Sequence, residues 1–213
     1  MTQTRAERIR EASKQRRTQK RENMQHLILD EAMRLFSLHG YEGFSLREVA
    51  EGIGYAPTTI YRYFRDKDEL VFALFEAAFT EFSQTLTDAR STQAAPLAQL
   101  EAVGKAYVQF AMAHPVHYRL LFMERGDLLS PLYERLKTEG RAYVGPMIVV
   151  EILTAAQEQG VWPASFSPEE YATLIWAQVH GIASLGISCA SLFSPDQVRC
   201  TMELLFNPQN AQF

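Results

Sequence analysis

The sequence predicts an all-α protein of about nine helices, in which three N-terminal helices precede a larger helical bundle. Two observations support this fold class. Apolar residues recur at intervals of three and four through most of the chain, which is the period of an amphipathic helix. Capping residues and prolines stand before these periodic stretches, and glycines follow several of them, as is usual at helix ends.

Length and composition are those of a soluble globular protein of one or two domains. The chain has 213 residues, 47% of them hydrophobic and 22% charged. Its two cysteines, Cys189 and Cys200, are too few for a disulfide framework, and no apolar signal segment follows the basic N-terminus. We therefore expect a cytoplasmic protein. No phosphate loop, nucleophile elbow or metal-ligand cluster is visible, so neither an enzyme nor a cofactor or metal site is predicted.

Charge is distributed unevenly along the chain. Residues 1–67 carry 13 Lys and Arg against 9 Asp and Glu, whereas residues 68–213 carry 8 against 16. The excess lies in residues 1–22, which have too few large aliphatic side chains to fold by burial. We interpret this segment as a basic arm, mobile or partly helical. It is either a solvated leader without a role or an arm that contacts phosphates or a minor groove.

The first helix is predicted from Asn23 to about Gly40. It carries a continuous apolar stripe, formed by Leu27, Ile28, Ala32, Leu35 and Phe36. His26 and His39 are interpreted as surface groups and not as metal ligands, because no cysteine or carboxylate stands at ligand spacing.

Two short helices joined by a glycine turn are predicted next. Ser45 stands three residues before Glu48, the spacing of a capping box, so a helix should begin there. That helix should end at Gly54, where positive φ costs glycine nothing. Pro57 suits the first turn of a second helix, predicted to extend to Phe64.

The second of these helices is rich in groups that can reach base edges and phosphates. Two helices joined in this way form the helix-turn-helix geometry, although an ordinary helical hairpin has similar turns. Composition favours the first interpretation, because aromatic and basic residues are too crowded in this segment to be buried together: Tyr55, Tyr61, Arg62, Tyr63, Arg65 and Lys67.

The run VAEGIGYAPTTIYRYFRDKDEL resembles the N-terminal motif of TetR-type repressors. With the preceding helix, the resemblance covers residues 23–70. It implies a DNA-binding domain over residues 23–67 and a ligand-binding and dimerisation domain over residues 68–213. Arg47 matches a family position that can reach a base. Thr58, Thr59, Tyr61 and Arg62 are predicted to contact base edges or the adjacent backbone, together with Arg47, and Pro57 belongs to the predicted DNA-binding surface as the start of this helix. The predicted phosphate contacts are Ser45, Tyr63 and Lys67.

Helices continue through the rest of the chain. The predicted ranges are Asp66 to about Ala89, Pro96–Ala113, 116–123, Pro131 to about Gln159 with a bend at Gly145–Pro146, 168–191 and 195–206. His114 and His117 are not predicted to bind a metal ion, because the proline between them should keep them off a shared face.

The segment from residue 171 to 195 contains no Asp, Glu, Lys or Arg. It has too many polar residues for a membrane span and lacks flanking basic anchors. A charge-free helix is better explained as buried on two sides, against its own domain and against a second copy. We predict a homodimer through helices 168–191 and 195–206, as the resemblance also implies. On the first of these helices, Leu174 and Leu185 are predicted to lie on the same face as Ile175.

A small-molecule pocket is predicted among the aromatic residues of the C-terminal helices, at Phe75, Tyr107, Phe110, Tyr118, Phe122, Trp176 and His180. His180 is either a ligand contact or a satisfied interface residue. The stretches from His114 to Phe122 and from Trp176 to Gly181 resemble the Trp-His-Gly subgroup of TetR-type ligand domains.

These patterns together predict a homodimeric DNA-binding transcriptional regulator. It would be a repressor that binds a pseudo-palindromic operator and is released by an unknown small molecule. The alternative is a TetR-like protein that binds DNA in chromosome organisation or cell division.

Overall fold

The computed structural model describes residues 5–124, 126–138, 144–191 and 193–206. Ten helices and no strand lie in these residues, which confirms the all-α prediction. The helices are α1 (Arg5–His39), α2 (Leu46–Gly52), α3 (Pro57–Ile60), α4 (Lys67–Ser91), α5 (Pro96–Ala113), α6 (Pro115–Phe122), α7 (Gly126–Thr138), α8 (Val144–Glu158), α9 (Pro168–Ser188) and α10 (Pro195–Phe206).

The chain divides into two compact units, Met1–Glu76 and Ala77–Phe213, and the boundary falls within α4. In the first unit α2 packs against both α1 and α3. Its core is apolar, because the predicted α1 stripe faces inward apart from Leu27, which is 41% exposed. The other core residues include Phe44, Leu46, Val49, Ala50, Ile60, Phe64, Leu70 and Leu74.

The second unit is a bundle in which α5, α8 and α9 pack against one another, with α6 on α5 and α10 on α9. Phe82 of α4 lies at the centre of an aromatic cluster in this unit. Its ring meets those of Tyr107, Phe110 and Phe122 edge-on at centroid distances of 5.2–5.3 Å. Edge-to-face contacts of this kind stabilise a core beyond the area they bury.

The basic arm is helical where the structure describes it. Residues 5–22 form the first half of α1, and nearly all of their described side chains are exposed. Residues 1–4 lie outside the described part of the chain. The arm's contact with DNA stays a prediction.

The prediction of one bent helix from Pro131 to Gln159 is wrong. The structure has two helices there, since α7 ends at Thr138 and α8 begins at Val144. Residues 139–143 lie outside the described residues. Pro131 is inside α7 and does not start it, so its missing N–H leaves one carbonyl of the preceding turn without its helical partner.

The predicted cap signals of the last two helices are confirmed. The Ser167 hydroxyl accepts from the amide of Glu170, whose carboxylate accepts from the amide of Ser167. Ser194 and Gln197 make the same reciprocal pair at α10. None of the described helices combines the length and the hydropathy needed to cross a bilayer.

Candidate nucleic-acid interface and ligand cavity

The start of α2 is fixed by Ser45. Its hydroxyl accepts from the backbone N–H of Glu48 at 3.3 Å and donates to the Glu48 carboxylate at 2.8 Å. The carboxylate therefore bonds the serine hydroxyl, whereas in a full capping box it would bond the backbone amide. Leu46, Val49 and Ala50 are buried, so the helix is held by one face and exposes the other.

The turn after α2 depends on Gly54. Its φ of +74° is a left-handed conformation that other residues rarely adopt. The chain then reaches Pro57 at the start of α3. The helix ends at Ile60, four residues earlier than predicted, but successive backbone hydrogen bonds carry the turn on to Phe64.

The short α3 segment buries two side chains and exposes the rest. Ile60 and Phe64 are 0% and 3% exposed, which anchors the segment to the core of its unit. Tyr61 is 53% exposed, and Thr58 and Arg62 are exposed beside it. The described residues offer Arg62 no ion pair. A rigid segment that presents a phenol, a hydroxyl and an unpaired guanidinium can bind the edges of bases in a major groove.

Other predicted DNA contacts surround this segment. Arg47 is exposed, whereas Ser45 and Tyr63 are half-buried. The Lys67 ammonium lies over the rings of Tyr41 and Phe44, at 4.6 and 4.7 Å from their centroids. Lys67 is thus held against the unit by cation–π contacts.

Tyr41 is a further ordered group that the sequence did not indicate. Its hydroxyl donates to the Asp68 carboxylate, which raises the pKa of Tyr41 to about 12. This hydrogen bond joins the loop after α1 to the first turn of α4. It fixes the ring over which Lys67 lies.

A cavity of about 500 Å³ lies inside the second unit. Its lining comes from six helices and is mainly apolar. The lining residues are Phe79, Phe82, Leu86, Leu100, Val103, Gly104, Tyr107, Leu121, Phe122, Ser130, Tyr133, Glu134, Gly145, Val149, Ala172, Ile175, Trp176 and Val179. A cavity of this size and lining can hold an apolar ligand.

A chain of hydrogen bonds runs from the cavity wall into the protein. The indole N–H of Trp176 donates to the Tyr107 hydroxyl at 3.2 Å, and that hydroxyl lies 3.1 Å from the Tyr118 hydroxyl. Tyr118 lies 2.7 Å from Nδ1 of His180, and Nε2 of His180 lies 3.3 Å from the Ser184 hydroxyl. The distances allow each donor to be used once, with Nδ1 of His180 as an acceptor.

Burial shifts the pKa values of the groups in this hydrogen-bond chain. It raises the pKa of Tyr107 far above its ordinary value and that of Tyr118 to about 12. Burial also lowers the pKa of His180. All three groups are therefore neutral near pH 7.

Comparison with known proteins identifies the family of this protein, which carries both the exposed α3 segment and the apolar cavity. The family model of bacterial regulatory proteins of the tetR family matches residues 28–74. A second model, the tetracyclin repressor-like C-terminal domain, matches residues 100–205. The two matches together span most of the chain. The protein belongs to the TetR family. It is a DNA-binding transcriptional regulator, in a family whose members bind operator DNA and typically form homodimers.

Solved structures share the fold of this TetR-family regulator. The fatty acid degradation regulator FadR from Bacillus halodurans has a TM-score of 0.71 at 18% identity, over 85% of this chain and 94% of its own. FadR from Bacillus subtilis, in complex with stearoyl-CoA, has a TM-score of 0.70 at 18% identity, over 85% of this chain and 97% of its own. AibR, in complex with isovaleryl coenzyme A and operator DNA, has a TM-score of 0.62 at 19% identity, over 85% of this chain and 95% of its own.

The predicted pocket residues of this regulator occupy different places. Tyr107, Phe122 and Trp176 line the cavity. Tyr118 and His180 lie behind them in the hydrogen-bond chain. The other two are buried elsewhere: Phe110 packs against Phe82, and Phe75 belongs to the first unit. Nothing in the sequence indicated that Ser130, Tyr133 and Glu134 of α7 would line a cavity. The Trp-His-Gly subgroup stays a prediction.

The outward face of α9 differs from the predicted one. Leu174 and Leu185 are 52% and 48% exposed, so placing them with buried Ile175 was wrong. They share a stripe with Gln178 and Gly181, and a Cβ at Gly181 would meet nothing within 4 Å. Residues at spacings of four, three and four lie on one side of a helix. The regulator thus presents an uncharged, partly apolar helix face.

The stability of this regulator should fall in mild acid because of His180. Its pKa is lower in the folded state than its ordinary 6.5, so the unfolded state binds more protons. The contribution is complete above pH 6.5 and is lost as pH falls through the folded-state pKa. We expect the His180→Asn variant, which keeps an acceptor near Tyr118, to lose less free energy of unfolding between about pH 7.5 and 5.5.

Urea unfolding at several pH values measures this difference. His26→Asn is the matched control, because His26 is exposed on α1. Burial also lowers the pKa of His117, so this residue contributes to the pH dependence of stability that remains in the His180→Asn variant. If the free energy of unfolding depended on pH equally in wild type and in His180→Asn, the assigned role of His180 would be contradicted.

Proposed function

We propose that the protein is a homodimeric repressor that leaves its operator when an acyl thioester fills the cavity of the second unit. The observation that carries the proposal is the cavity, because it has about 500 Å³ and a mainly apolar lining. Such a lining favours a hydrocarbon chain over a charged compound.

The ligands of two structural neighbours support this class of compound. FadR from Bacillus subtilis binds stearoyl-CoA, and AibR binds isovaleryl coenzyme A. Within the described lining, Glu134 is the only charged residue, and it is exposed. Its negative charge disfavours an anionic head group nearby. We therefore place the acyl chain inside the cavity and the coenzyme outside it.

The dimer interface is proposed to form between α9 and α10 of two copies. The stripe of Leu174, Gln178, Gly181 and Leu185 supports this, because it is uncharged and its glycine leaves open space for a neighbouring helix. A two-fold axis would set this stripe against its own copy. Exposed leucines at such spacing gain stability when a second apolar face covers them.

Operator recognition is proposed to centre on α3. Thr58, Tyr61 and Arg62 are exposed there and would contact base edges, with Arg47 beside them. Pro57 and Thr59 are half-buried and would support this surface. Ser45, Tyr63 and Lys67 are assigned to phosphates, which position the protein without specifying sequence.

Ligand release requires unequal affinities. An acyl thioester can lower operator binding only if it binds the DNA-free conformation more tightly than the DNA-bound one. The Trp176–Tyr107 hydrogen bond is a candidate point of difference, because Trp176 lines the cavity and its indole joins the buried hydrogen-bond chain.

We also propose that the protein acts by binding and not by catalysis, and that it does so in the cytoplasm. Its family and its structural neighbours are regulators, which supports this assignment. The alternative role in chromosome organisation or cell division is not favoured by these relatives.

The proposal is tested by measuring operator affinity with and without acyl-CoA, using fluorescence anisotropy of a labelled duplex. We expect stearoyl-CoA or isovaleryl-CoA to weaken operator binding by at least about tenfold, with free coenzyme A as the negative control. The Ala172→Phe variant should bind operator normally and ignore the acyl-CoA, because Ala172 is buried in the cavity wall and phenylalanine would fill the space.

The matched control is Ala94→Phe, at an exposed position between α4 and α5. This variant should keep the full response. Thermal unfolding establishes that both variants are folded. The acyl-ligand proposal fails if neither acyl-CoA changes operator affinity, or if Ala172→Phe responds as the wild type does.

A further inference from the structure

The junction between α5 and α6 brings two histidines and a carboxylate together on the second unit. His114 is the C-cap residue of α5, and Pro115 starts α6 immediately after it. The rings of His114 and His117 stack at a centroid distance of 5.6 Å and an angle of 15°. The expectation that the proline would keep the two histidines apart is therefore wrong, because the break turns both rings to one side.

Glu81 of α4 faces both rings. Nε2 of His114 lies 3.7 Å from one carboxylate oxygen of Glu81, and Nδ1 of His117 lies 3.3 Å from the other. One ligand atom from each residue lies within 4.8 Å of the others. Two ligands of a tetrahedral zinc ion with bonds of about 2.0–2.1 Å are roughly 3.3–3.4 Å apart. The two distances from the histidine nitrogens to the Glu81 carboxylate are therefore close to those of a zinc site.

The buried nitrogen of His117 supplies a second observation. Its Nδ1 is shielded from solvent and has no hydrogen-bond partner among the residues that the structure describes. The Glu81 oxygen is near enough to attract it but does not have the geometry of a hydrogen bond. Leaving a buried polar atom unsatisfied is costly, and a metal ion bound to Nδ1 would remove that cost.

We propose that Glu81, His114 and His117 form a binding site for a divalent transition metal ion, with Zn²⁺ as the preferred ion. Two imidazole nitrogens and one carboxylate suit Zn²⁺ and not Mg²⁺ or Ca²⁺, which prefer oxygen ligands alone. Glu81 and His114 have side chains 45% and 40% exposed, so water can occupy the fourth position. The ion cross-links α4 to the α5–α6 junction. None of the three residues lines the cavity, so this proposal is independent of the acyl ligand.

The test is a zinc titration of the full-length, tag-free protein after chelator treatment, in competition with a chromophoric chelator. We expect one ion per chain at micromolar or lower free zinc, and a rise in melting temperature. Glu81→Gln and His114→Gln should each weaken binding by at least about tenfold. The first changes a half-exposed side chain, so the variant should fold even if a His117 variant does not.

Matched controls are His26→Gln and His39→Gln, whose histidines are exposed on α1, and a variant with Cys189 and Cys200 both changed to serine. These variants should bind zinc as the wild type does. Cobalt substitution should give the visible absorption of a tetrahedral ion. The absence of stoichiometric binding, or equal affinity in wild type and Glu81→Gln, would overturn the proposal.

Discussion

Replacing Tyr61 and Arg62 by alanine is expected to lower the affinity for operator DNA by at least about 30-fold, since each of the two base contacts contributes roughly 1–3 kcal/mol. Both side chains are exposed on the segment that Ile60 and Phe64 anchor. Because the anchors are unchanged, the fold should survive. Fluorescence anisotropy with operator and scrambled duplexes measures the loss of preference.

Two conservative variants separate the contributions. Tyr61→Phe removes only the hydroxyl, and Arg62→Lys keeps the charge but loses the bidentate geometry. Arg119→Ala is the matched control, because Arg119 is exposed on α6 in the second unit. Retained operator preference in the double alanine variant would overturn the assignment of α3 as the recognition segment.

Placing glutamates at Leu174 and Leu185 is expected to dissociate the dimer and, with it, to abolish tight operator binding. In a two-fold interface each new carboxylate lies close to its own copy or to apolar surface, and both arrangements are unfavourable. The monomer would contact one half-site only. Light scattering after size-exclusion chromatography measures the mass, and anisotropy measures DNA binding on the same sample.

Leu97→Glu is the matched control for the interface, because Leu97 is 42% exposed on α5. This variant should remain dimeric. If the Leu174→Glu/Leu185→Glu variant also remained dimeric at the wild-type concentration, the interface would lie elsewhere on the protein.

Local signals in the sequence predicted the DNA-binding unit well. Ser45, Gly54 and Pro57 each act within one or two turns of chain, through a cap, a positive φ and a fixed φ. Such effects need no knowledge of distant residues. The extent of α3 was less predictable, because the change from α-helix to tighter turns after Ile60 has no residue signal of its own.

The cavity could be predicted only in part. The sequence predicts Tyr107, Phe122 and Trp176 as pocket residues, but aromatic residues of a packed core and of a cavity wall have the same sequence pattern. Which side of each helix faces the space depends on how six helices pack. Phe75 shows the difficulty, since it lies on α4 with the lining residue Phe79 but belongs to the first unit.

The outward face of α9 was misassigned for a related reason. Leu174 and Ile175 are neighbours in sequence, and consecutive helix positions point about 100° apart. In most helices charged residues mark the solvent side. This helix has none after Glu170, so the sequence left the orientation of its apolar stripes undetermined.

Recognition of an operator by a dimer is tested most directly by sequencing the genomic fragments that the purified protein retains and footprinting the enriched site. We expect one or a few sites near genes. Each should be a pseudo-palindrome whose half-sites lie about one helical turn, roughly 10 bp, apart or a multiple of it. Protection of both half-sites by one dimer is the expected result. A protein that enriches no sequence, or that protects a single asymmetric site as a monomer, would contradict it.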